Sequence, residues 1–96
     1  MSAKALKIRV RGQVQGVGYR RYAQRAADGC QICGWARNIR NGEVEILALG
    51  SESALENYLK LLRQGPPFGR VDEVITQQVE FKKLSHFSIL PDGASE

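Results

Sequence analysis

The stretch Gly12-Gln-Val-Gln-Gly16-Val-Gly18-Tyr-Arg20-Arg21 places three glycines and two arginines within ten residues. Glycines allow successive backbone N–H groups to turn toward one point, and a helix beginning there adds partial positive charge. Arg20 falls at the junction of loop and helix, where its fork of donors can clamp two oxygens of a phosphate. Glycines in a strand-to-helix turn are structural when taken alone; strand, glycines, arginine and helix together suit an anion site. Arg21, one position on, is expected to face solvent. Two nucleotide-binding patterns are excluded by the residues present. A Walker loop needs Gly-Lys-Ser/Thr after its glycines. A dinucleotide fingerprint needs a third glycine where Arg21 stands, within a parallel βαβ unit.

A second candidate lies in "GWARNIRNG", where Asn38 ends a strand just before a turn. Asn41, which precedes Gly42, fits ordinary turn chemistry. Asn38 fits it less well, and an amide so placed can orient a water with no change in protonation. The absent groups narrow the chemistry further. His86 is the single histidine, so no Ser-His-Asp set exists, and it sits in the last strand. No acidic pair clusters near the glycine loop, and no metal-ligand spacing appears. Cys30-Gln-Ile-Cys33 follows a helix and precedes a strand, the wrong context for a redox pair, and reads as two thiols in a reducing compartment. An enzyme built from these parts works by positioning and electrostatics on a substrate with a good leaving group.

The elements that must hold these residues follow from periodicity. Leu6, Ile8 and Val10 alternate with Lys7, Arg9 and Arg11, a half-buried strand. A helix is expected over about 19–28, with Tyr22, Ala23, Ala26 and Ala27 as its apolar stripe and Gly29 as its stop. "CGWARNI" and "GEVEILALG" read as two strands joined at Arg40, Asn41 and Gly42. Ser53 and Glu56 have capping-box spacing, and Leu55, Tyr58, Leu59 and Leu62 form the stripe of a second helix. Gly65, Pro66 and Pro67 end it. A strand over Val71 to Phe81 and a short "HFSIL" strand close the chain. The order β-α-β-β-α-β, plus a last strand, predicts an α+β fold of the ferredoxin-like, split βαβ type. Its sheet is expected to be antiparallel, of four to five strands, with two helices on one face.

Composition bounds the rest. Ninety-six residues, 43% hydrophobic and 25% charged, fit a single domain over 1–96, with about 91–96 as a frayed tail. Residues 1–40 carry a net charge of +8 and residues 41–96 a net of −4, so the basic half contains the glycine loop. No apolar run approaches the roughly 18 residues of a membrane span, and no secretory h-region is read at the N-terminus. A monomeric cytoplasmic protein is expected, with neither a membrane nor a nucleic-acid partner. The rival is a non-enzymatic RNA-binding module, which the element order and a pI near 9.4 would suit. Against it, "EVEILALG" carries two glutamates and no aromatic for base stacking.

Two segments carry a family resemblance. "VRGQVQGVGYR" (Val10 to Arg20) and "GWARNIRNGEVEILALG" (Gly34 to Gly50) resemble the two signatures of the acylphosphatases, small enzymes that hydrolyse carboxyl-phosphate anhydrides. The likeness extends to "GPPFGRVDEV" and "FSI", so it covers nearly the whole chain. It implies the ferredoxin-like fold, a phosphate cradle on the backbone of Gln15, Gly16, Val17, Gly18 and Tyr19, and an essential arginine at Arg20. The asparagine that positions the attacking water falls on Asn38. It also implies a small acyl phosphate as substrate, inorganic phosphate as product, and no metal or cofactor. Tyr19 stands where the family usually has phenylalanine and Gln13 where arginine is frequent. The added hydroxyl of Tyr19 needs a partner if buried. A role as an accessory domain handling carbamoyl phosphate is a third possibility, which the free-standing length disfavours.

Overall fold

Alternating side chains put Ile8 and Val10 wholly inside and Lys7 and Arg9 on the opposite face of β1 (Lys4–Gln13). The chain continues through α1 (Tyr19–Cys30), β2 (Cys33–Asn38), β3 (Val44–Gly50), α2 (Glu52–Gln64), β4 (Arg70–Val79) and β5 (Phe87–Ile89). These elements come from a computed structural model, which describes residues 3–80 and 83–92. The end of the expected fourth strand, at Phe81, lies outside the described residues.

The strands form one sheet in the order β4-β1-β3-β2-β5. β3 inserts between β1 and β2, which is the split βαβ arrangement. The sheet is not wholly antiparallel: β5 pairs parallel with β2, Gly34 opposite Phe87 and Ala36 opposite Ile89. Both helices lie on one face, where Ile8, Val10, Ala36, Ile46, Ala23, Ala27, Leu55, Tyr58 and Leu62 close the main core. The sheet's other face, which carries Lys7 and Arg9 of β1, also holds a smaller cluster of Ala5, Trp35, Leu47 and Leu49. Lys7 and Arg37 lie over the Trp35 ring, 5.4 and 5.0 Å from its centroid. Long cationic side chains can cover an aromatic face while their heads stay wet, which lets apolar residues occupy both faces of β3.

Local chemistry moved three boundaries. Gly29 does not stop α1; the helix runs to Cys30 and ends on Gln31 in the left-handed region, φ 60°. Ile32 N–H then donates back to Ala27 O at 2.8 Å, and buried Ile32 anchors the exit into β2. The cap of α2 is Ser51, not Ser53: its Oγ accepts from Ala54 N–H at 3.2 Å. The connection after β2 is wider than Arg40, Asn41 and Gly42 alone. It spans 39–43, closed by Ile39 N–H to Glu43 O at 2.9 Å, with Asn41 Oδ1 accepting from Glu43 N–H at 3.4 Å.

The register sets the site. Val10 of β1 and Asn38 of β2 both pair with Val44 of β3, so they stand level on either side of it. Two strand spacings put them about 10 Å apart. Paired residues share a face, so Asn38 projects to the helix side with Val10 and Val44, at the edge where α1 begins.

Candidate active site

The loop leaving β1 crosses the end of β3 to reach α1. Val14 buries its side chain in the core and Val17 packs against it, fixing the loop at both ends. Between and after them, Gly16 and Gly18 adopt left-handed backbone, φ 76° and 80°, conformations that cost an L side chain about 1–2 kcal/mol. Gly18 is also the N-cap of α1, and no side chain caps that terminus. No acidic residue lies in its first turn. The first N–H groups of a helix have no intrahelical acceptor, so this end presents donors and partial positive charge.

Gln15 contributes through its side chain as well. Its Nε2 donates to Ile39 O and to Glu43 O, each at 2.9 Å, tying the loop to the hairpin that follows Asn38. Tyr19 is buried in the core, and its hydroxyl donates to Leu62 O at 2.7 Å. Tyr22 OH donates to Leu61 O at 2.6 Å. These hydroxyls satisfy carbonyls in the last turn of α2 and clamp it to the first turn of α1. Burial raises the pKa of Tyr19 well above its ordinary value, with a smaller contribution from Tyr22.

Arg20 and Asn38 approach the same point from different elements. Arg20, on the first turn of α1, sends Nη1 to Leu90 O at 2.9 Å and to Asp92 Oδ1 at 3.1 Å. Asn38, buried at the end of β2, donates from Nδ2 to that same Asp92 Oδ1 at 3.1 Å. Its own Oδ1 is buried and has no hydrogen-bond partner among the described residues. The amide orientation is dictated by the carboxylate, since a carbonyl facing Asp92 would repel it. Asp92 lies in the segment expected to fray; residues 93–96 of that segment lie outside the described residues.

Other expected features fall elsewhere. Arg21 is exposed, as its position implied. His86 is exposed, with Nδ1 3.1 Å from Ser85 Oγ. Cys30 and Cys33 are free thiols on opposite faces of the sheet, Cys30 against the main core and Cys33 against the Trp35 cluster. Arg11 pairs with Glu43 and Glu73 and Arg9 with Glu43, an ionic strip on the open face whose Glu43 backbone also receives Gln15 of the glycine loop. No group of three or more His, Cys, Asp or Glu suited to a metal occurs among the described residues. Sequence reasoning missed the Gln15 side chain, the Leu90 carbonyl and Asp92. None carries a local signal, because each partner is 24 to 70 residues away.

Known proteins share both this architecture and this sequence. An acylphosphatase from Leuconostoc mesenteroides is 45% identical over 87 residues, covering 90% of this chain and 97% of the relative. One from Deinococcus radiodurans is 48% identical, covering 83% and 92%. The crystal structure of acylphosphatase from Bacillus subtilis superimposes with a TM-score of 0.88 at 36% identity, covering 91% of this chain and 98% of that one. The sequence model of the acylphosphatase family matches residues 6–89, and the chain belongs to that family.

Proposed function

We propose that this protein hydrolyses small acyl phosphates to a carboxylate and inorganic phosphate, with Arg20 and Asn38 as its catalytic pair. One observation carries the assignment of residues: donors from α1 and β2 converge on a single carboxylate oxygen, each at 3.1 Å. A guanidinium and a neutral amide that both reach one anionic oxygen are donors that a phosphoryl oxygen can use in the same way. The uncapped start of α1 and the left-handed Gly16 and Gly18 support a cradle on the backbone of Gln15, Gly16, Val17, Gly18 and Tyr19.

In the reaction, the phosphoryl oxygens lie against those N–H groups and the Arg20 guanidinium. Asn38 holds a water in line with the bond from phosphorus to the carboxylate oxygen; its Oδ1, which has no hydrogen-bond partner among the described residues, is an acceptor suited to a water O–H. The water oxygen bonds to phosphorus as that bond breaks, and the bond's electron pair leaves on the carboxylate. A phosphoryl or acyl oxygen of the substrate takes the water proton, so no protein acid is required. Negative charge spread over the phosphoryl oxygens in the transition state is what Arg20 stabilises. Both residues come from one chain, which supports a monomer as the working unit. The two free thiols suit a reducing, cytoplasmic setting. The RNA-binding alternative gains no support: Trp35 on the open face lies under Lys7 and Arg37, and Glu45 of β3 pairs with Arg37.

The test is hydrolysis of benzoyl phosphate by the wild type and by Asn38→Ala, with inorganic phosphate as competitor. Turnover inhibited competitively by phosphate, and a large loss of kcat in the variant, are expected. Near-wild-type kcat in Asn38→Ala would remove the water-positioning role.

A further inference from the structure

The segment after β5 carries a negative charge into the anion site. β5 ends at Ile89, Leu90 N–H donates to Ala36 O at 2.9 Å, and Asp92 follows two residues later. Its Oδ1 accepts from Asn38 Nδ2 and pairs with Arg20 Nη1, both at 3.1 Å. Arg20 has a second partner besides this carboxylate. The Leu90 carbonyl already engages the same Arg20 nitrogen at 2.9 Å, and the Asp92 side chain is 71% exposed.

We propose that Asp92 is an intramolecular competitor: its carboxylate occupies the phosphoryl position, and acyl phosphate or inorganic phosphate must displace it to reach Arg20 and Asn38. The inference rests on the assignment of those two residues as the phosphoryl site. Carboxylate and phosphoryl oxygens accept from the same donors, so the two compete directly. Pro91 restricts the link between the anchored Leu90 and Asp92, which keeps the carboxylate at a high effective concentration. The competitor is also weak, because a solvent-exposed ion pair shifts an equilibrium by no more than about fivefold. A dianionic phosphoryl group with additional donors from the loop can therefore win. Asp92 thus sets the affinity threshold of the site.

The experiment measures inorganic phosphate binding by calorimetry and benzoyl phosphate hydrolysis for the full chain. It compares wild type, Asp92→Ala, Asp92→Asn, Arg20→Ala and the Arg20→Ala/Asp92→Ala double variant. Removing the competitor is expected to tighten phosphate binding and lower KM about two- to fivefold, with a smaller change in kcat. Asp92→Asn, which keeps the shape but not the charge, should move in the same direction. In the Arg20→Ala background the Asp92 substitution should no longer tighten binding. Unchanged or weaker phosphate binding in Asp92→Ala overturns the competitor role and would make Asp92 a support for Arg20 instead. If Arg20→Ala itself keeps both phosphate binding and turnover, the site assignment falls with it. If Arg20→Ala loses both while Asp92→Ala tightens nothing, only the competitor falls.

Discussion

The two helices of this protein begin in opposite ways. α2 is closed by its own residues: Ser51 accepts from Ala54 N–H, and Glu52 places a negative charge in the first turn. α1 starts from a left-handed glycine with no side-chain cap and no acid, and its first turn brings Arg20 instead. A helix N-terminus with glycine at the cap gives up roughly a few tenths of a kcal/mol of capping stability. The same unfilled donors and positive charge are what an anionic ligand can use. One helix start is closed by its own side chains, and the other is left open to the anion that the proposed function places there.

Breaking the open terminus should have the largest effect. Arg20→Ala is expected to lower kcat by about 10²–10³, roughly 3–4 kcal/mol in the barrier, and to weaken phosphate binding. Steady-state hydrolysis of benzoyl phosphate measures the first and calorimetry the second. The helix fold should survive, since Arg20 is not part of the core.

The joint between the two helices is expected to weaken at alkaline pH. Burial raises the hydroxyl pKa values of Tyr19 and Tyr58 above their ordinary value of 10.0. In the unfolded chain these groups ionise from about pH 10, while in the folded chain they stay neutral. Their contribution is therefore complete below pH 10 and is lost as pH rises beyond it. The loss reaches about 1.4 kcal/mol per pH unit for each tyrosine. Urea unfolding between pH 9 and 11 should show the fall, and Tyr19→Phe should make it shallower. An unchanged slope in that variant would separate Tyr19 from the alkaline transition.

Ser51→Ala tests the closed terminus. It should cost about 1 kcal/mol in urea unfolding while kcat/KM stays near wild type, because α2 begins at the opposite end of the sheet from Asn38. Equal loss of activity would mean that the two termini are coupled. The smallest effect sharpens the comparison. Arg21→Glu gives α1 the acid it lacks, and should raise stability by about 0.5 kcal/mol while raising KM by repelling the phosphoryl group. A lower KM in that variant would argue against an anion site at this terminus.

Much of this contrast was legible in the residues. Period-two alternation located β1, and the 3.6-residue stripes located both helices. The glycine loop ending in Arg20, and Asn38 separated from the turn-type Asn41, stood out by residue type and position. The helix boundaries were less legible. Gly29 carries a stop signal that the buried Ile32 overrides by pulling the turn to Gln31. Ser53 with Glu56 imitates a capping box, yet Ser51 takes the role because the chain leaves β3 directly before it.

The sequence by itself therefore determined the element types, the candidate side chains Arg20 and Asn38 of the proposed site, and the left-handed loop between β1 and α1. Each depends on properties within a few residues: alternation, glycine's access to positive φ, and the donor fork of arginine. Only the tertiary structure decided where those side chains meet. The shared register at Val44, the parallel docking of β5, the Gln15 tie to the hairpin and the arrival of Asp92 all join distant segments. Asn38 and Asp92 lie 54 residues apart, and no local preference can encode a contact that exists only once the sheet has closed between them.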